Sequence, residues 1–258
     1  MVLDTVLAGL LAAAFVAGAI DAIVGGGGLI QVPALLTALP GAAPATLLGT
    51  SKLAGLAGTA SATLRYARAV KLPWRALLPA LAVAFASSLA GAIAVTHVSA
   101  AFFRPLVPVL LTVVLLYTLA RKDLGRHHLP RALGRRAALT GVALIAAIGF
   151  YDGFFGPGTG SFLMLLFIRY YGFDFLNAAA AARLINVATN VAALGWFGSR
   201  GHVLWPTGLA MAALNVAGAQ LGTRLAIARG AGFVRVVFVV IVTALILRTG
   251  WAALAAHG

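Results

Sequence analysis

Two acids and two cations interrupt runs of the chain that are otherwise almost continuously apolar: Asp21, Lys52, Asp152 and Arg183. Asp21 precedes the glycine run Gly25, Gly26, Gly27, Gly28 in AIDAIVGGGGLIQVP, and Asp152 precedes Gly156 and Gly158 in FYDGFFGPGTGSFLM. The acids lie 152 − 21 = 131 positions apart, and the same offset joins Gly25 to Gly156, Gly27 to Gly158 and Lys52 to Arg183. A carboxylate and a broken backbone both cost free energy inside lipid, so a chain that carries the combination twice is expected to use it. The chemistry on offer is anion binding. The cations are charged donors, the carboxylates can balance them or carry protons, and a glycine break bares main-chain N–H groups at the start of the next helix.

The surroundings of these residues set the fold class. The 258-residue chain is 62% hydrophobic and 9% charged, with a mean hydropathy of +1.03. Soluble domains are about half apolar and a quarter charged, so this is an all-α polytopic membrane protein, with residues 1–258 forming one membrane domain. A spanning helix takes roughly 20 apolar residues, and the apolar runs supply about eight to ten such segments. The net charge of +14 sits in short connections, as cytoplasmic loops require. No basic stretch is long or interleaved with aromatics, which argues against nucleic acid as a partner. The absence of cysteine excludes disulfides and thiolate metal sites, and the histidines are not spaced for a metal. No cofactor is expected. The opening run MVLDTVLAGLLAA lacks a basic n-region and is expected to stay as the first membrane helix.

Along the chain, Leu3–Val24 is a full crossing stopped by the glycine run, and Leu29–Leu39 is a half-helix or broken helix ending at Pro40. Ala45–Tyr66 is the next crossing, followed by a basic loop with Arg65, Arg68, Lys71 and Arg75, then crossings at Ala76–Thr96 and Phe103–Leu119. A basic cytoplasmic linker, 121–136, separates a first repeat (1–120) from a second (137–258). After it the pattern restarts as Ala137–Phe155, Ser161–Ile168, Ala178–Phe197, Trp205–Ala226 and Val234–Leu247. The offset also carries Trp74 to Trp205, Gly91 to Gly222 and Arg104 to Arg235 without a gap, which marks an internal repeat. The loop at 65–75 is basic and its counterpart at 196–206 is not; around 97–106 and 224–235 that bias reverses. Positive loops that change sides favour about five segments per half, inverted topology and both termini outside. Re-entrant short segments would instead give four crossings per half and parallel repeats.

The stretches GAIDAIVGGGGLIQVPALL, GTSKLAGLAGTASATLRYAR, GFYDGFFGPGTGSFLMLLF and AARLINVATN resemble the sulfite exporter TauE/SafE family, also called the toluene-sulfonate uptake permeases. The resemblance runs from about residue 18 to 225 and looks like the bacterial inner-membrane branch. It implies secondary transport of a small sulfur-containing anion such as sulfite or an organosulfonate.

In transporters built from repeats, substrate sits where broken helices meet near the midplane. Free N–H groups at Gly28 and Leu29, and at Gly160 and Ser161, are then expected to face the anion, with Gly27, Gly158 and Thr159 shaping the breaks. Against this stands packing alone, the usual role of small residues in membrane bundles. Lys52 and Arg183 need partners wherever they sit. Either they pair permanently with Asp21 and Asp152, or they bind the anion, Arg183 as a bidentate fork and Lys52 as a point charge. An anion that displaces a carboxylate would couple its binding to a proton. Ser51 with Thr50, Thr59 and Ser61, and Asn186 and Asn190 with Thr189, are candidates to line the cavity; interhelical hydrogen bonding is the alternative. Asn215 and Gln220 are weaker candidates. An anion channel is the nearest rival function, and an intramembrane aspartyl protease using Asp21 and Asp152 a distant one. The expected partners are a small anion, the bilayer and protons, with a homo-oligomer left open.

Overall fold

The structure is a computed structural model that describes residues 2–72, 74–98 and 134–255. Among these residues it is all-helical. In chain order the helices are α1 (Val2–Val24), α2 (Gly28–Ala38), α3 (Pro44–Ala69), α4 (Trp74–Thr96), α5 (Arg135–Phe154), α6 (Thr159–Arg169), α7 (Phe175–Ser199) and α8 (Trp205–Ala255). The crossing expected over Phe103–Leu119 and the linker up to residue 133 lie outside the described residues. Helix α8 is broken at Gly230 (φ 70°, ψ −168°), between the two segments expected over Trp205–Ala226 and Val234–Leu247.

Among the described residues, four stretches are long and apolar enough to cross a bilayer: Thr5–Val24, Leu77–Thr96, Arg136–Phe154 and Phe175–Ser199. Helix α3 carries Thr50, Ser51, Lys52, Thr59 and Thr63, all buried, so its polar groups face neighbouring helices rather than lipid. The 11-residue helices α2 and α6 reach only about 16 Å at 1.5 Å per residue, half of a hydrocarbon core. They are the broken segments expected from the sequence.

Each short helix begins where glycine permits a turn that other residues rarely adopt. Helix α1 stops before Gly25 (φ +80°) and α5 before Gly156 (φ +94°) and Gly158 (φ +85°). Pro44 at the first turn starts α3, and the Asp174 carboxylate accepts the Asn177 N–H at 2.7 Å to cap α7. Trp74 and Trp205 open α4 and α8 half-exposed, as interfacial anchors should.

The packing is built on close backbone approach. Helix α1 lies along α8 and α5 along α4; α3 packs on α8 and α7 on α4, with α3 and α7 against each other. A Cβ on Gly18 would stand 2.1 Å from the Asn215 carbonyl oxygen, and one on Gly222 2.3 Å from that of Ala19, so α1 and α8 admit no side chain there. The same holds between α4 and α5, where a Cβ on Gly91 would meet the Phe150 carbonyl oxygen at 2.1 Å and one on Gly149 the Ser87 hydroxyl at 2.3 Å. Helices that start at 28, 44 and 74 have counterparts that start at 159, 175 and 205, each 131 residues later.

Candidate functional site

The two glycine breaks cross backbone to backbone. The Ser161 N–H donates to the Gly25 carbonyl at 3.2 Å, and the Ser161 hydroxyl to the Val24 carbonyl at 2.8 Å. A Cβ on Gly25 would lie 2.3 Å from the Gly160 carbonyl carbon, and one on Gly160 2.6 Å from the Gly25 Cα. Only glycine fits at either point, so Gly25 and Gly160 are requirements of the crossing itself.

Beside the crossing lies a cavity of about 50 Å³, enough for about four waters or one small oxyanion. Its wall includes Asp21, Gly25, Gly27 and Gly28 from the first break, Ser51, Lys52, Gly55 and Thr59 from α3, Asp152, Gly156, Gly158 and Gly160 from the second break and its flanks, and Asn186, Asn190 and Asn215 from α7 and α8. Lys52 and Asp152 meet there across the two halves, Nζ to Oδ2 at 2.7 Å, with side chains 8% and 2% exposed. Two charged side chains buried that deeply balance each other, and removing either strands the other. Among the described residues, Lys52 is the one partner of the Asp152 Oδ2.

Asp21 is held differently. Its Oδ1 accepts the Gly27 N–H at 3.2 Å and its Oδ2 the Thr59 hydroxyl at 3.1 Å. Arg183 does not reach its carboxylate. One guanidinium nitrogen, Nη2, donates instead to the Asp21 main-chain carbonyl, Nη1 donates to the Ala179 carbonyl at 2.8 Å, and the guanidinium lies 5.2 Å over the Tyr66 ring. The Tyr66 hydroxyl donates to the Ala22 carbonyl at 2.8 Å. Arg183, Tyr66 and Ser161 thus satisfy three carbonyls in the last turn of α1, a cation and two hydroxyls at a helix C-terminus.

Most of the expected site residues converge on the cavity: Lys52, Ser51, Gly27, Gly28, Gly158, Gly160, Asn186, Asn190, Asp21 and Asp152 all line it. Arg183, Thr159 and Ser161 do not. Arg183 is 1% exposed against α1, the Thr159 hydroxyl donates to the Gly156 carbonyl at 2.7 Å, and Ser161 locks the crossing. The expectation of free N–H groups at Leu29 and Ser161 is corrected. Leu29 donates to the Gly26 carbonyl at 3.0 Å and Ser161 to that of Gly25, because the breaks are closed by their own turns and by each other. Among the described residues, the N–H groups left without a main-chain acceptor at these helix starts are those of Gly28, Gly158 and Gly160.

Sequence reasoning missed Gln31. Its amide donates to the Ser51 carbonyl at 3.0 Å and its oxygen accepts the Asn215 amide at 3.0 Å, tying α2, α3 and α8 together at the cavity wall. The signal was a lone amide within the apolar GLIQVPALL. Gln220 lies elsewhere, bonded to Arg65 and Ser61. Among the described residues no cluster of potential metal ligands occurs.

Comparison with known proteins agrees with this architecture. Residues 10–249 match the family described as sulfite exporter TauE/SafE. The chain is 42% identical over 245 residues to the probable membrane transporter protein ORF9 of a Sinorhizobium species, covering 94% of this chain and 91% of the relative. It is 37% identical over 245 residues to the probable membrane transporter protein YfcA of Escherichia coli K12, covering 93% and 88%. A probable membrane transporter protein of Haemophilus influenzae is 37% identical over 234 residues, with 91% and 90% covered. No solved structure matches the chain significantly.

Proposed function

The chain belongs to the sulfite exporter TauE/SafE family and is a multi-pass membrane transporter rather than an enzyme; on that premise we propose that it is a secondary transporter for a small anion, sulfite or a small organosulfonate, bound at Lys52. One observation carries this reading. Lys52 is the only cation lining the described cavity, and its partner there is a carboxylate that another anion can replace. The unpaired N–H groups of Gly28, Gly158 and Gly160, with the amides of Asn186 and Asn190, supply donors around it. A volume near 50 Å³ favours sulfite-sized ligands over an aryl sulfonate.

Binding and coupling follow from the same pair. An anion that takes the Lys52 ammonium leaves the buried Asp152 carboxylate without its counter-ion, a charge that an accompanying proton can balance. Anion and proton then cross together. Arg183, buried behind the cavity wall, serves to hold α1 rather than to touch the substrate.

The matched helix starts and the exchanged contacts, α1 on α8 with α5 on α4, support two repeats with the cavity where their breaks meet, and the loop charges favour inversion between them. The test is thermal stabilisation of the purified protein by sulfite, sulfate, small sulfonates and carboxylates, since a ligand that binds only the folded state raises its apparent stability. Sulfite and small sulfonates are expected to raise the melting temperature; stabilisation by carboxylates alone, or by no anion, would overturn the assignment.

A further inference from the structure

We propose that Asp21 and Asp152 trade roles during the transport cycle, each carboxylate alternating between a cation of the opposite half and a pair of hydrogen-bond donors in its own. This rests on the inverted-repeat transporter reading above. The four charged groups presently show one arrangement in each half. Asp21 is on its donors, the Gly27 N–H at 3.2 Å and the Thr59 hydroxyl at 3.1 Å, while Arg183 turns to the Asp21 main-chain carbonyl. Asp152 is on its cation, Lys52, at 2.7 Å.

Positions 131 residues beyond Gly27 and Thr59 are Gly158 and Asn190, again a main-chain N–H and a side-chain donor. Both line the cavity with Asp152, and both are underused. Gly158 has no main-chain acceptor among the described residues, and the Asn190 amide makes only a long 3.3 Å contact with the Asn186 oxygen. Asp152 Oδ2 is held by Lys52 alone among the described residues, so no hydrogen bond to its own half has to break when the partners change. Lys52 also stands near its alternative. A Cβ on Gly156 would lie 3.0 Å from its Nζ, so the ammonium already borders the C-terminal end of α5, as Arg183 borders that of α1.

Inverted repeats reach the opposite-facing state by exchanging conformations. In that state Asp152 accepts the Gly158 N–H and the Asn190 amide, Lys52 caps the carbonyls ending α5, and the Arg183 guanidinium takes the Asp21 carboxylate. Each state keeps one ion pair and one capped helix end, so the two remain close in free energy, as a carrier requires.

The chain has no cysteine, which allows a clean reporter. Gly55 lines the cavity and a Cβ there meets nothing within 4 Å, so Gly55→Cys gives one thiol at the site. The rate of its labelling by a charged, membrane-impermeant methanethiosulfonate is measured from each face of sealed vesicles, without added anion. Thr59→Val removes the donor that meets Asp21 in the present state, and Asn190→Leu the one that meets Asp152 in the other. The two substitutions are expected to shift the ratio of rates in opposite directions, each by about tenfold, the worth of a hydrogen bond to a charged group. The double variant returns the ratio toward that of the parent. Shifts in the same direction, or none, would overturn the exchange; Thr59→Ala and Asn190→Ala stand in if either variant fails to fold. Opposite shifts in a protein that no anion stabilises would overturn the substrate assignment alone, and anion stabilisation without the shifts would overturn the exchange alone.

Discussion

Lys52 and Arg183 hold matched positions in the sequence but do different work. Lys52 enters the cavity and meets a carboxylate; Arg183 is withdrawn to the end of α1, where its neighbours are carbonyls and the Tyr66 ring. Arg183→Ala is therefore expected to lower stability by about 3 kcal/mol or more, from the cavity left by a fully buried side chain and an uncapped helix end. Arg183→Lys recovers part of this, keeping the charge at the helix terminus but losing the fork. Thermal melting in detergent checks both. A wild-type melting temperature for Arg183→Ala with loss of anion stabilisation alone would make Arg183 a ligand instead. That both residues mattered was legible from charge in an apolar run. Which partner each meets was not, because a register of 131 is equally compatible with partners in the same half or the opposite one, and with main-chain carbonyls in place of a carboxylate.

At the scale of elements, the glycine breaks define the site by letting two helix ends cross in contact. Gly25 has φ +80° and its missing Cβ points at the Gly160 main chain. Gly25→Ala is expected to cost about 3 kcal/mol, combining a left-handed backbone penalty of about 1–2 kcal/mol with overpacking. Gly55→Ala, on a helix with nothing within 4 Å of the new methyl, is expected to be neutral or to stabilise by up to about 1 kcal/mol. Equilibrium unfolding of the two variants in parallel distinguishes a built crossing from general helix packing, which would make the substitutions comparable. The helices themselves could be read from apolar runs cut by Gly and Pro: the expected Leu29–Leu39 is Gly28–Ala38, and Ala137–Phe155 is Arg135–Phe154. The closing of the breaks could not, since the Ser161 to Gly25 hydrogen bond joins residues far apart in the chain. That bond is why the Ser161 N–H is not free for a ligand, whereas the Gly160 N–H beside it has no main-chain acceptor among the described residues.

For the whole molecule, inversion makes a topological prediction. The end of α3 and the end of α7 are counterparts, so cysteines at exposed Lys71 and Ser199 are expected to label from opposite faces of the membrane in sealed vesicles. Labelling of both from one face would mean parallel repeats. Loop charge points to inversion; the contact pattern shows α1 on α8 and α5 on α4, so each half completes its packing with the last described helix of the other, an exchange that fits either sense of repeat. The Lys52–Asp152 pair follows from that interlocking, because it brings the α3 of one half to the break of the other.

If Lys52 binds the transported ion, anion flux depends on the Lys52 cavity. Purified protein in proteoliposomes is expected to carry sulfite in a saturable, proton-dependent manner. Lys52→Gln together with Asp152→Asn removes both buried charges without stranding either. Loss of at least about 90% of the flux in that folded variant, a tenfold effect matching one charged hydrogen bond, is the predicted result. Undiminished sulfite flux in the double variant would contradict the claim that Lys52 binds the transported anion, and non-saturating currents in the parent would make the protein a channel.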